Sequence, residues 1–317
     1  MLDVVNVTGV VFVLIALGFF AVKISLFSER DLGVLIKYAV NFALPALLLR
    51  AFALRDFSEI VDGGYLVAYA AGSLISFTFF YLASRYLLKR SAGQATFRAV
   101  GTSSSNSGFV GYPIVLVLLP EVADRALALN MMVENILILP LTLLLAERAT
   151  NAEIGGLPLA RKIAGRLLGN PMIVAIFVGL AISIAGIPLP RLISGPIDLL
   201  ASSSAAVSLV VIGGTLAGLS LNTFNFDVFM VTVGKLVIHP LAVFAMVALF
   251  AGLGFGIANG ELATAAIIYA ALPPMSIYPI LAARYGFQHV AAPALFLSTC
   301  ASFFTLSILI WFLMGGA

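Results

Sequence analysis

The sequence predicts an all-α protein that crosses a membrane many times, and three observations carry that prediction. Of 317 residues, 62% are hydrophobic and only 10% are charged, against ~25% charged in a typical soluble domain. Long stretches hold no Asp, Glu, Lys or Arg, among them 63–84, 99–120, 199–226 and 285–317. These runs far exceed the ~10 alternating residues of a membrane-barrel strand, so helices fit them and strands do not. A soluble fold of this composition would expose large apolar patches. A soluble enzyme, a disordered chain and a nucleic-acid binder are thereby excluded, and the net charge of +3 reads as membrane topology.

A helix needs about 20 apolar residues to cross ~30 Å of hydrocarbon. That length marks ten expected spans, at about 8–25, 35–54, 63–86, 97–119, 124–147, 168–187, 196–220, 227–252, 261–284 and 290–314. Met1–Thr8 carries Asp3 and no basic residue, which does not fit a cleavable signal, so the first span is read as retained. The second runs between Lys37 and Arg50, whose stems can snorkel to the interfaces. Glu134 interrupts the fifth, and Lys235 and His239 lie in the eighth.

Basic residues set the direction. With the N-terminus outside, twelve Lys and Arg fall in inner loops and four, Arg50, Arg55, Arg125 and Arg191, in outer ones. The expectation is a multi-pass cell-membrane protein with both termini outside and the long hydrophilic connection 147–166 in the cytoplasm. The lone Cys300 allows no internal disulfide and no thiolate cluster, and no metal or cofactor site is expected.

Five spans precede the central connection and five follow, so two equivalent halves would have to be inverted. The expected organisation is a first five-helix repeat over 1–147, a cytoplasmic linker over 148–166 and a second, inverted repeat over 167–317. At an offset of 166 residues, Gly111–Ile114 (GYPI) falls on Ile277–Ile280 (IYPI), and Ala126–Leu129 (ALAL) on Ala292–Leu295 (APAL). Both matches sit in the fourth and fifth spans of each half, as an inverted repeat demands.

The fourth span carries GTSSSNSGFVGYP, with Gly111 and Pro113, and the ninth carries LPPMSIYP, with Pro273, Pro274 and Pro279. Prolines remove backbone donors and glycines weaken helices, so spans 4 and 9 are expected to be broken and to cross. Asn106 lies eight residues beyond Arg98, or about 12 Å of helix, near the membrane midplane. Each break starts a half-helix whose N-terminus holds free N–H groups and partial positive charge, one near Ser105–Gly108 and one near Pro274–Ser276. Meeting there, they would form a pocket for a carboxylate without a formal charge. A pair of tolerated kinks is the plainer alternative.

At these residues the chain resembles the auxin efflux carrier family, the plant PIN proteins and their prokaryotic relatives. Asn106–Ile114 is similar to the family's Asn-x-x-x-x-Gly-x-Pro segment, and Ala271–Gly286 to its ninth-span segment. Asn41–Leu49, Asn170–Leu180 and Gly234–Pro240 resemble its second-, sixth- and eighth-span motifs. The resemblance implies ten spans as two inverted repeats, an elevator-type motion, often a homodimer, and organic-anion substrates such as indole-3-acetate or dicarboxylates like malate and malonate. Where plant members have a proline before the fourth-span asparagine this chain has Ser105, which implies a softer first break. The long middle loop of many plant members is missing as well.

Among intramembrane polar groups, Asn106 is the expected substrate contact or half-helix cap. Ser105, Gly108, Pro273, Pro274, Ser276 and Asn41, with Pro45 behind it, complete the expected binding set. Glu134, one turn beyond Asn130, is the candidate proton- or cation-coupling group; a neutral hydrogen-bonded acid is the alternative. Lys235 is expected to snorkel or to pair structurally, and His239, four residues on, to pack between helices rather than to relay protons. The small face of Val211–Ser220 suits close helix contact.

The function expected is secondary transport, as export, of a small organic anion. No GxxxxGK[ST] loop is present, so an ion gradient or the membrane potential would drive it. A sodium- or proton-coupled carrier of the bile-acid or cation-antiporter type is the alternative, and a receptor or channel a lesser one. An intramembrane enzyme lacks a nucleophile–base pair and a metal motif such as HExxH.

Overall fold

The computed structural model describes residues 2–54, 60–150, 156–218 and 225–313. Arg55, residues 151–155 of the central connection and Ser220 lie outside the described residues. Regular structure there is helical: α1 (Leu2–Lys23), α2 (Glu29–Tyr38), α3 (Leu44–Ala53), α4 (Gly63–Leu82), α5 (Ala92–Ser103), α6 (Tyr112–Leu118), α7 (Ala123–Met132) and α8 (Leu139–Thr150). Then come α9 (Gly156–Leu168), α10 (Pro171–Ile184), α11 (Arg191–Gly218), α12 (Phe226–Val233), α13 (His239–Gly252), α14 (Gly260–Ala270), α15 (Tyr278–Ala283) and α16 (Gln288–Leu313). Side-chain caps hold several starts: Ser28 and Ser91 form capping boxes, and Asp62, Asn170, Asn225 and Asn259 bond the first amides of α4, α10, α12 and α14.

Wide turns with i→i+5 bonds occupy Ala39–Ala43, Ser107–Gly111, Val133–Ile138 and Gly234–Ile238. Each is followed by one residue and then a proline: Pro45, Pro113, Pro140 and Pro240. A proline ring clashes with the carbonyl four residues back and cannot donate to it. Widening the preceding turn relieves that clash without ending the helix. A fifth such turn, Ala83–Leu87, has no proline after it.

The span count differs from the expectation. Among the described residues, six continuous helices are long and apolar enough to cross a bilayer: Arg30–Ala53, Gly63–Leu87, Ala123–Thr150, Arg191–Gly218, Phe226–Gly252 and His289–Leu313. A seventh is reached only by joining α9 to α10 across an 81° bend. The expected ten spans, as two inverted five-helix repeats with crossing breaks in spans 4 and 9, are therefore corrected. An apolar run fixes hydropathy, not helix continuity. The serines, glycines and prolines of 102–113 and 271–279 leave only short helices there, and part of the expected linker coils into α9. Gly169-Asn170-Pro171 makes the bend, with Asn170 capping α10.

Two sets of helices pack most extensively within themselves, and contacts of α3 with α7 and of α1 with α16 join them. In the first, α1 lies along α11, and α3 packs on α10 and α11. The contact of α1 with α11 is backbone on backbone: a Cβ at Gly18 would strike the Val210 carbonyl oxygen, and one at Gly213 that of Ile15. In the second, α4 packs on α13 and α5, α5 on α8, α12 on α16, and α14 on α7 and α13. The turn at Ser107–Gly111 faces α11 across the junction. Phe20, Phe79, Leu241, Ile308 and Phe312 are exposed on the periphery, where lipid rather than water is the fitting solvent.

Polar clamps tie the ends of the second group. Asp227 at the start of α12 pairs with buried Arg98 at 2.5 Å and with Arg90 at 3.2 Å. Glu147, buried near the end of α8, takes Lys162 and Arg166 of α9, each at 2.6 Å, and the Tyr285 hydroxyl at 2.8 Å. Tyr285 lies beyond α15, and its phenol is pushed up by burial first and then by the bond to Glu147.

Candidate functional site

The site grows from two helices that stop inside the protein. In α5 the hydroxyls of Thr102, Ser103 and Ser104 bond back to the Ala99 and Val100 carbonyls, which competes with the helical ladder. Ser104 is extended (φ −107°, ψ 146°), and the next regular turn begins at Ser107. Helix α14 stops at Ala270, and Pro273 and Pro274 keep the chain irregular up to α15. The two interruptions touch. The Asn106 amide N–H donates to the Pro273 carbonyl at 2.9 Å, and Asn106 Nδ2 to Ser276 Oγ at 2.7 Å.

A buried polar network backs this junction. Glu134 Oε1 accepts from the Ser105 N–H at 2.7 Å and Oε2 from Ser107 Oγ at 2.9 Å. Asn130 Nδ2 donates to the same Ser107 Oγ at 2.6 Å, and the Tyr65 hydroxyl donates to Asn130 Oδ1 at 3.3 Å. On the other side of Ser105, Lys235 Nζ donates to Ser105 Oγ at 2.9 Å and to the Ala270 carbonyl at 2.5 Å, and lies 2.8 Å from His239 Nδ1. His239 Nε2 lies 2.9 Å from Ser73 Oγ, and the Tyr69 hydroxyl 3.2 Å from Ser105 Oγ. Glu134 is 4% exposed, while Lys235 and His239 are fully buried. Glu134 and Lys235 both sit in wide turns, which swing their side chains inward.

Two cavities adjoin the junction and share Asn106, Phe109, Ser276 and Ile277 in their walls. One of about 50 Å³ is also lined by Ser105, Ser107, Gly108, Glu134 and Asn135. The other, of about 140 Å³, is mostly apolar, with Val40, Val211, Ile212, Leu216 and Leu295. Among the described residues, no Lys or Arg lines either one.

The structure gathers most of the residues singled out from sequence. Ser105, Asn106, Gly108 and Ser276 line the smaller cavity, Pro273 bonds Asn106, and Pro274 lies between Pro273 and Ser276. Glu134, Asn130, Lys235 and His239 form the network behind it. Gly111 packs against Tyr269 and Leu272, Pro113 opens α6, and Pro279 opens α15 and lines the larger cavity. Asn41 is not brought in: it is exposed and donates to the Lys37 carbonyl at 2.8 Å, while Leu44 from the same region reaches the cavity. Lys235 does not snorkel to a surface. Sequence reasoning missed Ser107, Tyr69, Ser73 and Asn135. Ser107 stood in the serine run, but nothing local marked the others.

The chain matches a family model described as "Membrane transport protein" over residues 5–311. A protein of Rhizobium meliloti (strain 1021) described as "Putative malonate transporter" is 24% identical over 98% of this chain and 97% of its own length. An "Uncharacterized transporter" of Methanothermobacter thermautotrophicus is 28% identical over 94% of each chain. The mouse "Lysosomal cholesterol signaling protein" is 24% identical over 95% of this chain, which spans 36% of that longer protein. A model match over almost the whole length, around a polar site buried in apolar helices, makes the chain a member of the membrane transport protein family, that of the auxin efflux carriers.

Proposed function

We propose that this secondary transporter of small solutes exports an organic monoanion, held at the junction of the two interrupted segments. The observation that carries the reading is Asn106, which bonds the second segment through both backbone and side chain while lining both cavities. The first intrahelical bond after the interruption runs from the Val110 N–H to the Asn106 carbonyl. The amides of Ser107, Gly108 and Phe109 therefore precede the ladder and suit a carboxylate. The larger cavity suits an apolar body on that headgroup. A second carboxylate, as in a dicarboxylate such as malonate, would find no Lys or Arg in these walls.

Glu134 is the proposed coupling group. It lines the smaller cavity and bonds both residues that flank Asn106, so a change in its protonation alters Ser105 and Ser107 directly. Movement would be of the elevator type, with the helices around the site sliding against the α1–α3–α10–α11 group. The experiment is flux in proteoliposomes of labelled indole-3-acetate, benzoate, malonate and malate, with Asn106→Ala alongside. Saturable flux of the apolar monoanions, lost in Asn106→Ala, is expected. No flux of any anion, or undiminished flux in Asn106→Ala, overturns the reading.

A further inference from the structure

We infer that the Lys235 ammonium is this site's resident cation and does the work that a bound alkali cation does in sodium-coupled carriers. The inference rests on the carrier reading above and adds that neither the junction nor its flux needs sodium.

The geometry of Nζ carries the argument. Ser105 Oγ at 2.9 Å, the Ala270 carbonyl at 2.5 Å and His239 Nδ1 at 2.8 Å surround it. With the His239 proton on Nε2, facing Ser73 Oγ, these are three acceptors for the three protons of an ammonium, whereas a neutral amine has only two to donate. Ala270 is the last residue of α14, and Ser105 lies two residues beyond the end of α5. The ammonium therefore stands between two helix C-termini, each equivalent to roughly half a negative charge. Glu134, when ionised, adds a carboxylate on the far side of Ser105. Converging helix C-termini, freed carbonyls and a nearby acid are the surroundings that coordinate sodium in transporters with interrupted helices. Here a protein side chain fills that place.

The backbone is shaped to admit it. Gly234, next to Lys235, abuts Phe80 and Thr102, and a Cβ there would come within 2.6 Å of the Thr102 methyl. Glycine lets the wide turn at Gly234–Ile238 press against α5, so that the lysine stem reaches Ser105. His239, Tyr69 and Glu134 are titratable side chains around this cation, the last two reaching it through Ser105, and among the described residues no group of three or more His, Cys, Asp or Glu offers a competing metal site.

The test compares thermal unfolding of the purified protein in sodium, potassium, methylammonium and choline chlorides at equal ionic strength, alongside anion flux with and without sodium. The wild type should melt at one temperature in all four salts and carry its substrate without sodium. Lys235→Ala should melt roughly 10 °C lower in choline. Sodium or methylammonium should restore several degrees of that loss, since either fits the vacated space and choline does not. Lys235→Gln, which fills more of that space, serves if the alanine variant does not fold. A wild type that needs sodium for flux or is stabilised by it specifically overturns the inference, as does a folded Lys235 variant indifferent to every small cation. Absence of any anion flux would sink the carrier reading, while the melting series would still decide the role of Lys235.

Discussion

Substituting proline at Ser105 separates the backbone bond that this serine makes from its side-chain bonds. Ser105→Pro deletes the N–H that donates to Glu134 Oε1 at 2.7 Å, and the Oγ that accepts from Lys235 at 2.9 Å. Ser105→Ala deletes only the Oγ. A hydrogen bond to a charged group contributes about 1.5–3 kcal/mol. The alanine variant should therefore lose roughly 1.5–3 kcal/mol and the proline variant roughly 3–6. The residue before it fits a proline, because Ser104 already holds φ −107° and ψ 146°, the extended region that a residue before proline prefers. At about 2–4 °C per kcal/mol, the proline variant should melt about 3–12 °C below the alanine variant. Differential scanning fluorimetry in detergent reads that gap. In the Glu134→Gln background the gap should shrink, since the acceptor is then neutral. A proline variant as stable as the alanine variant would refute the idea that Glu134 holds the first interruption through the Ser105 amide.

Asn106→Ala loses the bond to Ser276 but keeps the backbone bond to Pro273, so melting should move by only about 1 kcal/mol while flux falls at least ~10-fold, as a lost ligand contact of ~1.4 kcal/mol or more requires. Glu134→Gln should leave flux measurable but insensitive to an imposed pH gradient, read by radiolabel counting at several gradients. Tyr285→Phe should leave the pH profile of flux unchanged between pH 5 and pH 9. Burial and Glu147 raise that phenol above its ordinary value. Whatever stability it contributes is complete below ~10, the unfolded phenol's pKa, and is lost only as pH climbs from there through the raised value. Gly213→Ala sets a methyl against the Ile15 carbonyl, and should cost about 1–3 kcal/mol or block folding, seen as a loss of monodisperse protein on size exclusion.

Legibility varied by level. Long uncharged runs foretold a membrane-embedded helical chain, because the cost of burying charge in lipid leaves few other sequences there. They did not foretell helix continuity. Counting apolar residues gave 97–119 the length of a span with a break in it, but its serines, which prefer their own backbone bonds, and Pro113, which needs a widened turn, leave only the short helices α5 and α6 there. The prolines at 45, 113, 140 and 240 were a readable sign of such turns, and Glu134 and Lys235 stand five or six residues ahead of two of them. Residue type alone singled out Asn106, Glu134 and Lys235, polar groups in apolar runs, and the structure buries all three. Tyr69 and Ser73, which bond Ser105 and His239, were illegible, because ordinary residues become network members only when distant helices dock; Asn135 bonds Met131 of its own helix and lines the smaller cavity. Asn41 failed for a related reason: its helix turned the asparagine outward and offered Leu44 instead.

The glycine notches between α1 and α11 bear on how this protein can move. Two rods whose main chains rest against each other at Gly18 and Gly213 have no layer of side chains to act as lubricant. Creeping even one residue along the seam would drive a side chain into a carbonyl. This pair is thus keyed like a plank and its batten, and the sliding proposed above would have to be taken up elsewhere, as at the junction where pliable Leu44, Met131, Leu139, Met172 and Met275 face one cavity.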